Sequence, residues 1–327
     1  MIPQFPNFKK IEFSDKEEVE NITKGFPPYS DFNFTSIWIW DINEKMMFSE
    51  LNNNLVVLFY DYVTNKPYLS FIGTNMISET TSTLLDYSKK KFKVKFLKLI
   101  PEEIAKNLPV SEFNAISDRD SHDYIYYIPN LANMEILQEN SSGREIRQFM
   151  RKYPDYKAKD SSIQDAPKQE YEELFHRWAR NKKIENCFEM NEYKAFQKMF
   201  EIKDDRVRVV SLYVDGLLVG FNVHEILDND FVISHFAKYD AFFHRAIYDV
   251  LNWEEAKFLN SKGLKHFNWE QDLGILGLRQ SKEKYKPGFF LEKFIVKSTR
   301  SAGIVQLIMK YVKNLYLKNH NRKLKHA

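Results

Sequence analysis

Two apolar runs, Val207 to Val214 and Leu217 to His224, are joined by Asp215-Gly216, and this joint narrows the fold more than any other stretch. An Asp-Gly pair supplies the positive φ angles of a tight turn, so the runs are read as a hairpin of antiparallel strands. Phe231 to Lys238 supplies a third strand. The stretch Phe242 to Lys262 then carries Ile247, Val250, Leu251 and Phe258 at helical spacing and stops at Gly263, a natural helix end. A short apolar run, Leu264 to Phe267, and a strand at Phe289 to Val296 complete this half. Ahead of the hairpin, Gln169 to Arg180 and Glu192 to Phe200 read as helices.

The first half repeats the order more loosely. A short helix is expected around Phe34 to Asn43, followed by Leu55 to Tyr62 and Tyr68 to Ile72 as a second hairpin around Thr64-Asn65-Lys66-Pro67. Ser78 to Lys91 reads as a helix, Lys95 to Ile100 as a strand, and Tyr124 to Ile128 as a further strand. Pro101-Glu102-Glu103 suits a helix start, with acids near the positive end of the helix dipole. Between about Asn140 and Lys168 the chain turns polar and charged. The pattern therefore predicts an α+β protein with mostly antiparallel sheets. Its expected divisions are an N-terminal domain over 1–145, a linker over 146–165 and a C-terminal domain over 166–327.

With 27 Phe and 18 Tyr among 327 residues, the chain has ample stiff material for a core. The single Cys187 cannot form an internal disulfide, and no basic-then-apolar leader opens the chain. No stretch approaches the ~20 apolar residues that span a bilayer. A cytoplasmic protein is expected. The net charge is +3, but nine Lys or Arg residues and no acid follow Glu292, which leaves the preceding body acidic. Val305 to Leu317 places Val305, Ile308, Met309, Val312 and Leu315 at helical spacing, so a docked helix with a free basic end from Lys318 is expected. Such an end attracts RNA or an anionic membrane surface, or simply keeps the protein soluble.

The chemistry concentrates after the Leu264 to Phe267 run. Asn268-Trp269-Glu270-Gln271-Asp272-Leu273-Gly274 is followed by Gly277-Leu278-Arg279, Lys282, Lys284, Tyr285 and Pro287. A core-forming segment has little use for so many opposite charges, whereas a polar substrate does. The ends of strands in α/β sheets are where such sites sit. These residues resemble the signature of the phosphatidylglycerol lysyltransferase C-terminal domain family. Asp120, Asp123-Tyr124-Ile125-Tyr126, Leu131, Arg144, Arg147, Phe149 and the start Pro28-Tyr29-Ser30-Asp31-Phe32 with Trp38 and Trp40 extend the likeness over nearly the whole chain.

The resemblance implies two consecutive GNAT-like acyltransferase domains, related to the Fem peptidyltransferases that use aminoacyl-tRNA as donor. It implies transfer of an aminoacyl group to an amine or hydroxyl acceptor, either a lipid head group or a small molecule. The membrane-embedded half of the full lysyltransferase has no counterpart in this sequence. GNAT domains that use coenzyme A hold its pyrophosphate on a Gly-rich loop ahead of the helix that follows the fourth strand. Here that junction reads Lys238-Tyr239-Asp240-Ala241-Phe242-Phe243-His244-Arg245-Ala246, without a glycine. Aminoacyl-tRNA is therefore the expected donor, acyl-CoA is the rival, and no further cofactor or metal is expected. A non-catalytic ligand- or RNA-binding protein on the same fold is the alternative of a different class.

Within this frame Asp272, Arg279 and Tyr285 are the candidate catalytic residues, and Asn268, Glu270, Lys282, Lys238 and His235 the candidate substrate-binding ones. Glu270 or Asp272 would hold the donor's α-ammonium, Arg279 and Lys282 would anchor phosphates, and Tyr285 would donate to the oxyanion. Alternatively, Asp272 and Arg279 pair with each other and only lock the loop. His235 and His224 lie on neighbouring strands, where a histidine is either packed or a general base. Cys187 has no histidine signalled beside it in the sequence. Arg144, Arg147, Arg151 and Lys152 recur at helical spacing, as a solvated face or one turned to RNA.

Overall fold

The computed structural model describes residues 1–61, 64–134, 141–228 and 230–299. The first half opens with β1 (Lys9–Lys10), α1 (Lys16–Thr23) and α2 (Phe34–Trp40). It continues through β2 (Met47–Leu51), β3 (Asn54–Tyr60), β4 (Pro67–Ile72), α3 (Ile77–Phe92) and β5 (Leu97–Pro101). Next come α4 (Glu102–Lys106), β6 (Phe113–Ser117), β7 (Asp123–Tyr127) and α5 (Ile128–Ala132). The second half holds α6 (Ser141–Lys152), β8 (Lys157–Ser162), α7 (Lys168–Asn181), α8 (Asn191–Met199), β9 (Val207–Val214) and β10 (Leu217–Ile226). It ends with β11 (Phe231–Tyr239), α9 (Ile247–Ser261), β12 (His266–Asn268), α10 (Leu276–Glu283), β13 (Phe289–Leu291) and β14 (Lys293–Ser298).

The fold is α+β, with mostly antiparallel sheets flanked by helices, and the second half follows the GNAT order of two helices, three antiparallel strands, a helix and a strand. Among the described residues three sheets form, ordered β1-β2-β3-β4, β13-β7-β12-β11-β10-β9-β8 and β5-β14-β6. The two halves exchange strands. β7 of the first half pairs with β12 and β13 of the second, while β14 runs between β5 and β6 of the first. The expected strand from Phe289 to Val296 is in fact two, because the chain changes sheets at Glu292. Residues 146–165, read as a linker, hold most of α6 and all of β8, which forms the edge of the seven-stranded sheet. The polar pattern that suggested a linker is that of an edge strand, whose exposed face is wet.

Each face of the large sheet has its own core. Val210, Leu212 and Phe267 pack with Val250 and Leu251 of α9 and Phe149 of α6 on one face. Val209, Phe221 and Phe236 pack with Phe175 of α7 and Phe196 of α8 on the other. Ile39 of α2 belongs to this second core and is fully buried, so a helix of the first half is docked on the sheet of the second. Burying such a side chain stabilises by about 1.5–3 kcal/mol. That docking brings the start of α2 to the sheet at the place where two strands part. Among the described residues, no helix is long and apolar enough to cross a membrane.

Candidate active site

β11 and β12 run parallel but pair only at Phe231 with His266, Val232 with Phe267 and Ile233 with Asn268. β11 then continues to Tyr239 while β12 ends, so the strands part. Beside the parting, the ladder between β10 and β11 carries a bulge. Val223 opposes Phe236 and His224 opposes Ser234, which makes His235 the extra residue. A bulge of this kind re-aims a side chain, and His235 is turned into the parting.

Glu270 faces it from the other strand. Its Oε1 accepts from Ser36 Oγ of α2 at 3.3 Å and lies 4.0 Å from His235 Nδ1. The side chain keeps 23% of its surface exposed, and its backbone has φ of +56°. A left-handed Glu costs of the order of 1–3 kcal/mol, and such strain collects at functional sites. The turn is held by Lys282, whose ammonium donates to the carbonyls of Trp269, Glu270 (3.2 Å) and Gln271 (2.7 Å). Burial raises the Glu270 carboxyl to about 7, against the pull of His235 and Lys282. Burial also lowers Lys282, against the attraction of Glu270, Asp123 and Asp272.

Next to Glu270 lies a closed ionic cluster. Lys293 of β14 contacts Asp31, Asp123 (2.6 Å) and Ser30 Oγ (3.2 Å). Asp123 also accepts from the Ser30 N–H at 2.7 Å and from Asn268 Nδ2 at 3.2 Å. Asn268 Oδ1 in turn accepts the Glu270 N–H at 2.7 Å. Behind His235 stands Glu225, fully buried, 3.4 Å from Nε2 and bonded by Asn33, Thr35 and Lys16. Burial raises its carboxyl, but the nearby His235, the charge of Lys16 and the hydrogen bond from Asn33 outweigh this and hold it at about 2.

The structure thus brings together His235, Asn268, Glu270 and Lys282. It keeps the other four candidates, Asp272, Arg279, Tyr285 and Lys238, occupied elsewhere. Asp272 is bound by Arg279 Nε and Nη2 (2.8 Å each), by Tyr124 Oη (2.6 Å) and by the Gly274 N–H (2.8 Å). This is the loop-locking arrangement, completed by Arg119 at 3.3 Å and by Asp120, which accepts from Arg279 at 2.6 Å. Tyr285 is buried in the other core with its hydroxyl on Asp249. Lys238 lies on the α7 face, paired with Glu192 at 2.5 Å and set 4.1 Å over Trp178. His224 is likewise taken, by Glu255 at 2.8 Å. Cys187 does have a histidine beside it, His176 Nδ1 at 3.1 Å, contributed by the preceding helix.

Sequence reading gave Ser30, Asp31 and Asp123 only as part of the resemblance, with no role assigned at this site, and missed Asn33, Ser36, Glu225 and Lys293. For Asn33 and Ser36 the available signal was the alternation of polar and aromatic residues from Ser30 to Ser36. A cleft of about 540 Å³, which Asn33 also lines, has apolar walls from Phe26, Tyr29, Phe34, Phe231 and Leu291 and charged ones from Glu17, Glu20, Lys24, Arg206 and Asp228. A polar groove of about 840 Å³ along β8 and β9 shares no residue with the site.

The helix after β11 begins at Ile247 rather than Phe242. The reason is Asp240, whose Oδ1 accepts the N–H groups of Phe242 and Phe243 at 3.1 Å each. The donors that would cradle a phosphate at this junction already hold a carboxylate.

The sequence matches the family model described as phosphatidylglycerol lysyltransferase, C-terminal, over residues 26–297. A conserved protein of unknown function from Bacteroides thetaiotaomicron superposes with a TM-score of 0.77, at 23% identity over 91% of this chain and 100% of that one. The C-terminal domain of a putative lysylphosphatidylglycerol synthetase from Agrobacterium fabrum gives 0.59, at 11% identity over 91% and 95%. L-PGS from Bacillus licheniformis gives 0.57, at 14% identity over 91% and 93%. Identities this low show a shared fold. No curated protein matches the sequence.

Proposed function

Because the chain belongs to the phosphatidylglycerol lysyltransferase C-terminal family, a family of acyltransferases, we propose that it moves an aminoacyl group from aminoacyl-tRNA to an amine or hydroxyl acceptor. Glu270 is the general base of this reaction. The observation that carries the reading is its setting: a partly exposed, strained carboxylate with a proton affinity near neutrality, at the parting of two parallel strands. A base poised near the working pH is half ionised and still takes a proton readily.

The donor ester is already activated, so the protein's work is orientation and proton removal. Ser36, His235 and the Lys282-braced turn fix the carboxylate. It removes the acceptor's proton as nitrogen or oxygen attacks the ester carbonyl. The ester bond then breaks, and the tRNA 3′-oxygen leaves with a proton. Asp240 in the phosphate-cradling position supports a donor other than coenzyme A. The cleft at Asn33 mixes apolar and charged walls, which suits an acceptor with an apolar and a polar part, as in the lipid named for the family.

The test uses bulk tRNA charged with labelled amino acids, offered with phosphatidylglycerol vesicles or with soluble amines. Acceptor-dependent transfer is expected, together with no heat of binding for acetyl-CoA. Acetyl-CoA binding with no transfer from any charged tRNA would overturn the reading.

A further inference from the structure

The basic stripe of α6 has no part in the reaction above, and the structure splits it. Arg147 is half-buried, whereas Arg144, Arg151 and Lys152 are exposed. The helix lies against the junction between β11 and α9. Glu145 accepts from Arg245 Nε at 2.7 Å, Phe149 meets the ring of His244 at 5.4 Å, and Tyr153 meets that of Phe243 at 5.5 Å. From the other face of the sheet the end of α7 reaches the same junction, where Asn181 Nδ2 donates to Asp240 Oδ1 at 3.0 Å. Arg180, Lys182 and Lys183 flank Asn181 in sequence, and all three are exposed. Among the described residues none of Arg151, Lys152, Lys182 and Lys183 is paired with an acid. On the junction itself Phe242 keeps 76% of its surface exposed.

This end of the large sheet is opposite the cleft. β11 has nine residues and spans about 26 Å. Phe231 at its start lines the cleft, Tyr239 at its end leads into the junction, and His235 beside Glu270 lies midway. The charges at the two ends are of opposite sign. In the cleft Glu20 pairs with Arg206 at 3.0 Å, which leaves the exposed Glu17 and Asp228 against Lys24. A polyanion is repelled there and attracted at the junction. The aliphatic side chains of Leu273, Ile275 and Leu276 are also exposed, in the loop that follows β12 and at the start of α10. An anionic bilayer would need cations among them. There Arg279 pairs with Asp120 at 2.6 Å and Arg119 with Glu283 at 3.2 Å, which leaves no positive surplus. The free cations instead adjoin an aromatic ring, and such a ring stacks on an unpaired base.

We propose that the face formed by α6, the end of α7 and the junction at Phe242 docks RNA: the cations take phosphates and Phe242 takes an unpaired base. The donor's 3′ end and the acceptor then approach Glu270 from opposite ends of β11. Contacts to phosphates carry no sequence information, so one face serves tRNAs of different sequence. The inference deepens the reading of charged tRNA as donor and rests on it.

The test measures binding of uncharged bulk tRNA to the full chain by filter retention across a salt series. Arg151→Ala, Lys152→Ala, Lys182→Ala and Lys183→Ala are combined in one variant. All four positions are exposed, so its melting temperature should stay within a few degrees of the parent's. Binding should weaken by roughly tenfold or more, and the log–log salt slope should flatten by roughly 3 units, at about 0.7–0.9 per lost phosphate contact. Should the four-site variant not fold, the α6 pair and the α7 pair are measured separately, each expected to flatten the slope by about half as much. Lys89→Ala with Lys90→Ala, on the exposed basic end of α3, should leave affinity and slope unchanged. With charged tRNA the four-site variant should show a raised KM at an unchanged kcat, since the four lie outside the site at Glu270. A folded four-site variant that binds tRNA like the parent overturns the inference and leaves the donor reading standing. So does a variant that keeps tRNA but loses phosphatidylglycerol vesicles, which would turn the face toward lipid. A parent that binds no tRNA at all overturns the donor reading, and the inference with it.

Discussion

At the scale of residues, two carboxylates two positions apart have opposite fates. Asp272 is pushed up by burial, but hydrogen bonds from Arg279, Tyr124 and the Gly274 N–H outweigh this and hold it at about 2. Its folded value is depressed, so its contribution to stability is fully present above its ordinary 3.8 and is lost as pH falls through about 2. Arg279→Ala should therefore lower the melting temperature at neutral pH and start acid unfolding at a higher pH than in the parent, followed by circular dichroism. Activity should fall in step with stability; loss of transfer with an unchanged melting point would make Arg279 a substrate contact instead. Gly274 belongs to the same lock, with φ of +72° and a Cβ position only 2.8 Å from Asp120 Oδ2. Asn268 and Glu270 were legible in the sequence because they crowd polar groups just after a strand. Their partners were not, since Gln271 meets Asp31 across 240 residues and Glu225 hides as one acid in an apolar strand.

At the scale of elements, β14 joins the halves and delivers the ammonium of Lys293 to Asp31 and Asp123. Lys293→Ala would leave two buried carboxylates facing each other without a cation. It is expected to cost about 3–5 kcal/mol, read as a lower urea midpoint at unchanged slope. A change below 1 kcal/mol would mean that water reaches the cluster and screens it. The hairpin β9–β10, the strand β11 and helices α7, α8 and α9 were readable because period and turn residues mark them locally. The break at Glu292 was not, because Phe289 to Val296 is one apolar run whose division follows only from which sheet each part meets. β8 was masked by its polarity, and β6 and β2 are too short to show a period.

At the scale of the whole molecule, the exchange of strands makes each half depend on the other. A fragment of 1–145 would lack β14 between β5 and β6 and would leave β7 without either neighbour. It is expected not to unfold cooperatively on heating, whereas the full chain should; a cooperative transition in the fragment would show that the first half is a self-sufficient domain. The basic end from Lys318 and the helix expected over Val305 to Leu317 lie outside the described residues. If that end meets tRNA, deleting residues 319–327, with Arg322, Lys323 and Lys325, should flatten the log–log salt dependence of binding by roughly 2 units. An unchanged slope would place the tRNA contacts on the body alone.

The most direct test of the account is the pH dependence of single-turnover transfer from charged tRNA, in the parent and in Glu270→Gln. The parent rate should rise with pH, bend near 7 as the Glu270 carboxyl ionises, and then level off. Glu270→Gln should lose roughly 10²–10⁴-fold of that rate, lack the bend, and keep the parent's melting temperature within a few degrees. A Glu270→Gln variant that transfers at the parent's rate with the same bend would contradict the assignment of Glu270 as the base.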